Sequence, residues 1–294
     1  MNRLQILFCS GLVALTASTT NAQSQSPTQP PTQPQAQDAP RLEQAWLTQG
    51  LRTPESVLFY QHEDESFLFV SEIEGDASAV DGQGGIAKLS LDGRILDQNW
   101  VRGLNAPKGM AWQGNQLYVA DITELVVINI DSAEIAYRVP VPGAVFLNDV
   151  SVNVRGEIFV SDTRTNKVHR IVEREVETWQ EDATSANGVY TLGSNLVLGA
   201  GDTLWLVDAD QKRHPLAVGF EAPIDGIEMT EPSEFLVSCW VGLLYYVHAD
   251  GRLTKLLDSR DPQVNTADIG YNPQAKVVYV PNFLKNSVTA YRLR

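Results

Sequence analysis

A chain of 294 residues with 22 lysines and arginines against 36 aspartates and glutamates carries a formal charge of −14 at pH 7. That excess argues against nucleic acid and anionic membrane surfaces as partners, and it permits a cation site. Of the two cysteines, Cys9 falls in a segment expected to be removed, so Cys239 is expected alone, with no intramolecular disulfide.

The chain opens on a targeting pattern. Asn2 and Arg3 precede an apolar run from Leu4 to Ala17, and Thr20-Asn21-Ala22 supplies the small residues of a cleavage site. The run is too short to cross a bilayer, so 1–22 read as a secretory signal peptide and the mature protein as periplasmic or secreted. Cys9 lies inside the run rather than at its end, so no lipid anchor is expected. Residues 23–40 are mostly Gln, Pro, Ser and Thr; they cannot bury enough apolar surface to offset ordering and read as a disordered tether. Residues 41–294 suit one domain, expected to be monomeric.

Within that domain a short mark recurs six times. It reads Pro54-Glu55-Ser56-Val57, Pro107-Lys108-Gly109-Met110, Leu147-Asn148-Asp149-Val150, Ala186-Asn187-Gly188-Val189, Ile224-Asp225-Gly226-Ile227 and Thr266-Ala267-Asp268-Ile269. Each copy has one variable residue, one small or acidic residue, then an apolar residue opening a strand. The intervals between the variable positions are 53, 40, 39, 38 and 42 residues. A second mark follows each copy: an apolar strand ending in a polar or small residue, as in Phe67–Glu72, Leu117–Asp121 and Ile158–Asp162. A period near 40 built from short strands predicts an all-β, six-bladed β-propeller, one four-stranded blade per repeat. Ala45-Trp46-Leu47 reads as a strand arriving before the first mark, and the chain ends on Ser287–Arg292, a third strand of the last blade. The N-terminal strand therefore closes the ring and removes the open edge.

The first residue of each inner strand should stand at one mouth of the axis. That ring is Glu55, Lys108, Asn148, Asn187, Asp225 and Ala267, with Glu72, Glu74, Asp121, Asp162, Arg164, Trp240, Asn282 and Phe283 around it. Two carboxylates and two amides, Glu55, Asp225, Asn148 and Asn187, form an all-oxygen set that suits Ca²⁺ or another hard divalent cation; zinc would want His and Cys. The competing reading is that Asn-Gly and Asp-Gly only make turns into a strand. Lys108 either neutralises an anionic group of a substrate or offsets the acidic mouth. Asp121, Asp162 and Glu72 equally fit structural hydrogen bonds at strand ends.

The propeller together with Pro54-Glu55, Phe146-Leu147-Asn148-Asp149, Ser185-Ala186-Asn187-Gly188 and Ile224-Asp225-Gly226 resembles the senescence-marker-protein/gluconolactonase family, which includes regucalcin, and more distantly the paraoxonases. The resemblance covers the chain from about 45 onward. It implies one divalent cation on Glu55, Asn187 and Asp225, with Asn148 touching substrate or metal. It also implies hydrolysis of lactones or small esters, the blade-five Asp225 acting as ligand and base. A carboxylate near the metal would take the proton of the attacking water; Asp225 and Asp149 are the candidates, Asp149 being equally readable as a partner that pins a turn. Asn148, Lys108 and Trp240 are the expected substrate contacts. The paraoxonase-type His pair has no counterpart, since His62, His169, His214 and His248 fall outside the ring. The alternative is a non-catalytic propeller that binds a small ligand or a partner protein at the same mouth.

Overall fold

The computed structural model describes residues 39–294. The expected signal peptide, and the tether but for its last two residues, lie outside them. Among the described residues no helix is long and apolar enough to cross a membrane.

Residues 39–294 form six four-stranded antiparallel sheets. The innermost strands are Pro54–His62, Pro107–Gln113, Leu147–Val152, Ala186–Leu192, Ile227–Glu231 and Gly270–Asn272. Each pairs with the next strand in sequence and the sheet grows outward, which is blade topology. The sixth blade takes its outer strand from the start of the domain: Leu42–Gln49 pairs with Ser287–Leu293, from Leu42 opposite Leu293 to Gln49 opposite Ser287. The closing strand expected from the sequence is therefore present.

Strand alternation explains why the second strands read as unbroken apolar runs. Successive side chains point to opposite faces, and in a propeller both faces meet a neighbouring blade. Phe67 and Phe69 pack on Leu117 and Val119 of blade two, whereas Leu68 and Val70 pack on Tyr279 and Val288 of blade six. Blade three repeats this, with Ile158 and Val160 against blade two and Phe159 against Trp179 and blade four. Each such fully buried side chain contributes about 1.5–3 kcal/mol relative to exposure.

Two local devices set the inner ring. In blades one to four the pairing register shifts across the ring residue, between Pro54 and Ser56, Pro107 and Met110, Leu147 and Val150, and Ala186 and Val189. A bulge re-aims a side chain that strict alternation would direct between blades. The second device is glycine after the ring residue. A Cβ on Gly188 would overlap the Asp225 carbonyl oxygen, and one on Gly226 would sit 2.5 Å from Asp268 Oδ1. Neighbouring inner strands thus approach more closely than a side chain allows.

Candidate active site and cation site at the axis

One cavity of about 320 Å³ opens at the mouth of the axis. Its floor is Glu55, Lys108, Asn148, Asn187 and Asp225, and its walls are Ile73, Ala77, Phe146, Trp240 and Phe283. Five of the six ring residues expected from the sequence therefore share one cavity, and Trp240 stands with them. Ala267, the sixth, is fully buried and does not line it.

The polar contacts on the floor are specific. Asn187 Nδ2 donates to Asp225 Oδ1 at 2.8 Å. Asn148 Nδ2 donates to Thr163 Oγ1 at 3.1 Å. Lys108 Nζ donates to the carbonyls of Ala106 at 2.9 Å and Ala77 at 3.1 Å, and stands 4.3 Å from the centre of the Phe146 ring. Lys108 therefore spends two of its three N–H donors on the protein. It ties the loop after the second strand of blade one to blade two. Arg164 ties the same loop from blade three: its guanidinium lies 4.2 Å from the centre of the Phe146 ring and donates to Ser78 Oγ at 2.9 Å.

Two buried oxygens at this floor have no hydrogen-bond partner, Glu55 Oε2 and Asn187 Oδ1. Buried polar atoms are nearly always paired, and an orphan costs about 1–3 kcal/mol. Burial and mutual repulsion make ionised carboxylates costly at this floor. Burial, then the charges of Asp225 and Asp268, raise the Glu55 carboxyl well above its ordinary range, and Lys108 offsets this only in part. Burial, then Asp268, pushes Asp225 up to about 8, against the Asn187 hydrogen bond. Lys108 is pushed down to about 8 by burial, with Glu55 and Asp121 acting the other way. Among the described residues no three His, Cys, Asp or Glu side chains converge as a metal site. A cation here would rest on two carboxylates and the amide oxygens of Asn148 and Asn187, and the two orphaned oxygens fit a hard cation.

Asp149 stands apart. It lines a larger cavity, about 450 Å³, with Ser56, Asp268 and Glu228, and it is not among the residues of the mouth cavity. Its Oδ2 accepts from the Val189 amide at 2.7 Å and its Oδ1 from Val150 at 2.7 Å, so it joins the inner strands of blades three and four. Asp268 does the same between blades six and one, accepting from Ser56 Oγ at 2.5 Å.

The acidic strand ends have structural partners. Asp121 accepts from the amides of Asn105 and Ala106, Asp162 from Val145 and Phe146, and Glu72 from Arg52. All three are fully buried, and each holds the loop that leads into the inner strand of its own blade. Glu74 pairs with Arg52 and Arg102, and Asn282 donates to Ser287 and Thr289. The walls Ile73, Ala77 and Phe146 went unmarked as lining in the sequence. Phe146 is two residues before Asn148 and Ile73 is one after Glu72, so their offsets from the two marks were the available signal.

No protein-family model matches the chain, and no curated protein does. Solved structures do. A streptogramin B lyase superposes with a TM-score of 0.62 at 13% identity, covering 87% of this chain and 98% of that one. Virginiamycin B lyase from Staphylococcus aureus, substituted with selenomethionine, gives 0.59 at 11% identity over 85% and 99%. A catalytically inactive histidine-to-alanine variant of that lyase, with quinupristin, gives 0.56 at 10% identity over 85% and 99%. At these identities the likeness is one of fold: a six-bladed propeller.

Proposed function

We propose that the chain is a calcium-dependent hydrolase of lactones or small esters, working at the mouth cavity. The observation that carries this is the pair of orphaned buried oxygens, Glu55 Oε2 and Asn187 Oδ1, on a floor that also holds Asp225 and Asn148. The reading agrees with the resemblance to the senescence-marker-protein/gluconolactonase family. It does not borrow the chemistry of the lyases, one of which is inactivated by loss of a histidine. None of this chain's four histidines lines the cavity.

Glu55, Asn187, Asp225 and Asn148 would hold the cation. Bound there, Ca²⁺ would polarise the ester carbonyl and stabilise the developing oxyanion. The chain's own residues supply the rest. Asn187 fixes the Asp225 carboxylate through its amide N–H, so one Asp225 oxygen is oriented and the other is left for water. Asp225 takes the proton from that water; burial and then the charge of Asp268 push its carboxyl up to about 8, in the range a general base needs. The apolar walls, buried at Ile73 and partly exposed at Phe146 and Phe283, limit the contact of the acyl group with bulk water. Lys108, itself part of the floor and held by two carbonyls, offsets its acidic charge.

The test is a panel of lactones and aryl esters assayed with calcium and with chelator, beside calcium titration by calorimetry. Turnover that chelator abolishes and calcium restores is the expected result. Calcium binding with no turnover across the panel would leave a ligand-binding propeller instead.

A further inference from the structure

We infer that the substrate is an ester or lactone with an apolar body, an acyl chain or an aromatic ring, rather than a polyhydroxylated sugar lactone. This rests on the hydrolase reading of the mouth cavity and names the substrate class for it.

The argument is an inventory of hydrogen-bonding groups. The walls are Ile73, Ala77, Phe146, Trp240 and Phe283, and the Trp240 indole N–H is the one side-chain donor they carry. Polar side chains line the floor alone, and each donor group there already makes a hydrogen bond within the protein. Lys108 gives two of its three N–H groups to Ala77 and Ala106, Asn148 gives one to Thr163, and Asn187 gives one to Asp225. The buried oxygens without a partner, Glu55 Oε2 and Asn187 Oδ1, are among those the cation would take. A ligand hydroxyl carried past the rim would lose water and find no partner on the walls, which is the costly case for a buried polar group. An alkyl or aryl group loses nothing there. It gains the faces of Phe146 and of the Trp240–Phe283 pair, whose rings meet edge to face with centroids 5.6 Å apart.

The loops that supply the walls repeat their chemistry. Val80, Val145, Val241 and Leu284 are exposed, at 77%, 46%, 39% and 64%. Each sits in a loop that also supplies a wall residue: Val80 with Ala77, Val145 with Phe146, Val241 with Trp240, Leu284 with Phe283. Exposed apolar residues in the loops that wall a cavity are the expected entrance for an apolar ligand.

Two non-hydrolysable probes separate this inference from the hydrolase reading. Hexylcyclohexanone stands in for an alkyl δ-lactone and anhydroglucitol for glucono-δ-lactone. Binding of each to the calcium-loaded protein is measured by calorimetry, and the matching lactones, δ-undecalactone and glucono-δ-lactone, are assayed beside them. The ketone is expected to bind at least about a hundredfold more tightly than the polyol, since several hydroxyls would go unpaired. Trp240→Ala is expected to weaken the ketone at least about tenfold, the loss of one aromatic wall. Equal or tighter binding of the polyol, binding of neither probe, or indifference of the ketone to Trp240→Ala overturns the inference, even if lactones are hydrolysed. Tight ketone binding with no turnover of either lactone upholds the apolar ligand class and counts against the hydrolase reading.

Discussion

Asn187 Nδ2 donates to Asp225 Oδ1 at 2.8 Å, and Asn187 Oδ1 is left buried and unpaired in the same cavity. The two facts are one. A carboxylate accepts and cannot donate, so it draws the amide nitrogen and turns the amide oxygen away. The ion that would satisfy this oxygen is thus prepared for by a neighbour 38 positions along the chain.

Asp225→Asn tests the other half of the pair. Two amides then face each other, and the charge and basicity are lost while an oxygen ligand stays. Turnover on any active lactone is expected to fall at least about a hundredfold, the low end for removal of a general base. Calcium affinity is expected to fall less than in Asp225→Ala. Steady-state kinetics at saturating calcium decide: full activity would reduce Asp225 to a ligand.

Calcium itself should stabilise the fold. An ion that binds only the folded state adds about 2.7 kcal/mol at roughly 100 times its dissociation constant. For a domain of this size that is a rise of about 5–10 °C in Tm, removed by chelator. Glu55→Gln keeps the packing but halves the carboxylate charge, so the shift should shrink at fixed calcium, with turnover largely recovered at higher concentration. A melting temperature unmoved by Ca²⁺, Mg²⁺ or Mn²⁺ would leave the ring as turn chemistry.

The floor of the mouth cavity was legible in the sequence because its residues share a phase. Glu55, Asn187 and Asp225 stand at the same step of separate repeats, and a propeller brings that step to one mouth. The sequence did not show what Asp149 does. Asn148 and Asp149 are adjacent, and a β-bulge between Leu147 and Val150 decides which way each points. No composition rule reads a bulge, so Asp149 stayed readable both as a base and as a partner that pins a turn. Lys108 was ambiguous for a related reason: its partners are backbone carbonyls of Ala77 and Ala106, and a carbonyl carries no residue signature. The strand-end acids were clearer once seen together. A buried carboxylate at Asp121 and at Asp162 meets the amides of the loop before its own inner strand, a repeat of structure rather than of chemistry.

The axis should make the metal-free protein acid-loving. Asp225 is pushed up to about 8 and Asp268 to about 7, both by burial first, and burial also raises Glu55, Asp149 and Glu228. A carboxyl raised on folding holds a proton that the unfolded chain has already released. Its stabilising contribution is complete below the unfolded value near 4 and is lost as pH climbs through the folded value. Chelated protein is therefore expected to melt higher at pH 5 than at pH 8. Calcium displaces those protons, so its affinity should rise over the same interval and its stabilisation should be largest at pH 8. Melting curves across that range, with and without calcium, give both slopes, and an apo Tm that rises with pH contradicts the arrangement.

Asp162 links stability to the cavity wall. Its side chain is fully buried; one oxygen accepts from the Val145 amide at 2.8 Å and the other from Phe146 at 3.0 Å and Thr165 at 3.3 Å. Asp162→Ala removes every one of these acceptors at once, at about 1–3 kcal/mol for each amide left without a partner. Water entering the gap would recover part of this, so a loss of about 3 kcal/mol and a fall of roughly 6–12 °C in Tm are expected. The functional effect follows from position. Phe146 lies against both Lys108 and Arg164, and its backbone is what Asp162 holds. Freed, it should withdraw one wall from the substrate while Glu55, Asn187 and Asp225 stay in place. KM for an apolar lactone should therefore rise several-fold with kcat nearly unchanged, and the calcium shift should persist. Loss of kcat or of calcium binding in a folded Asp162→Ala protein would mean that this carboxylate belongs to the chemistry and not to the frame.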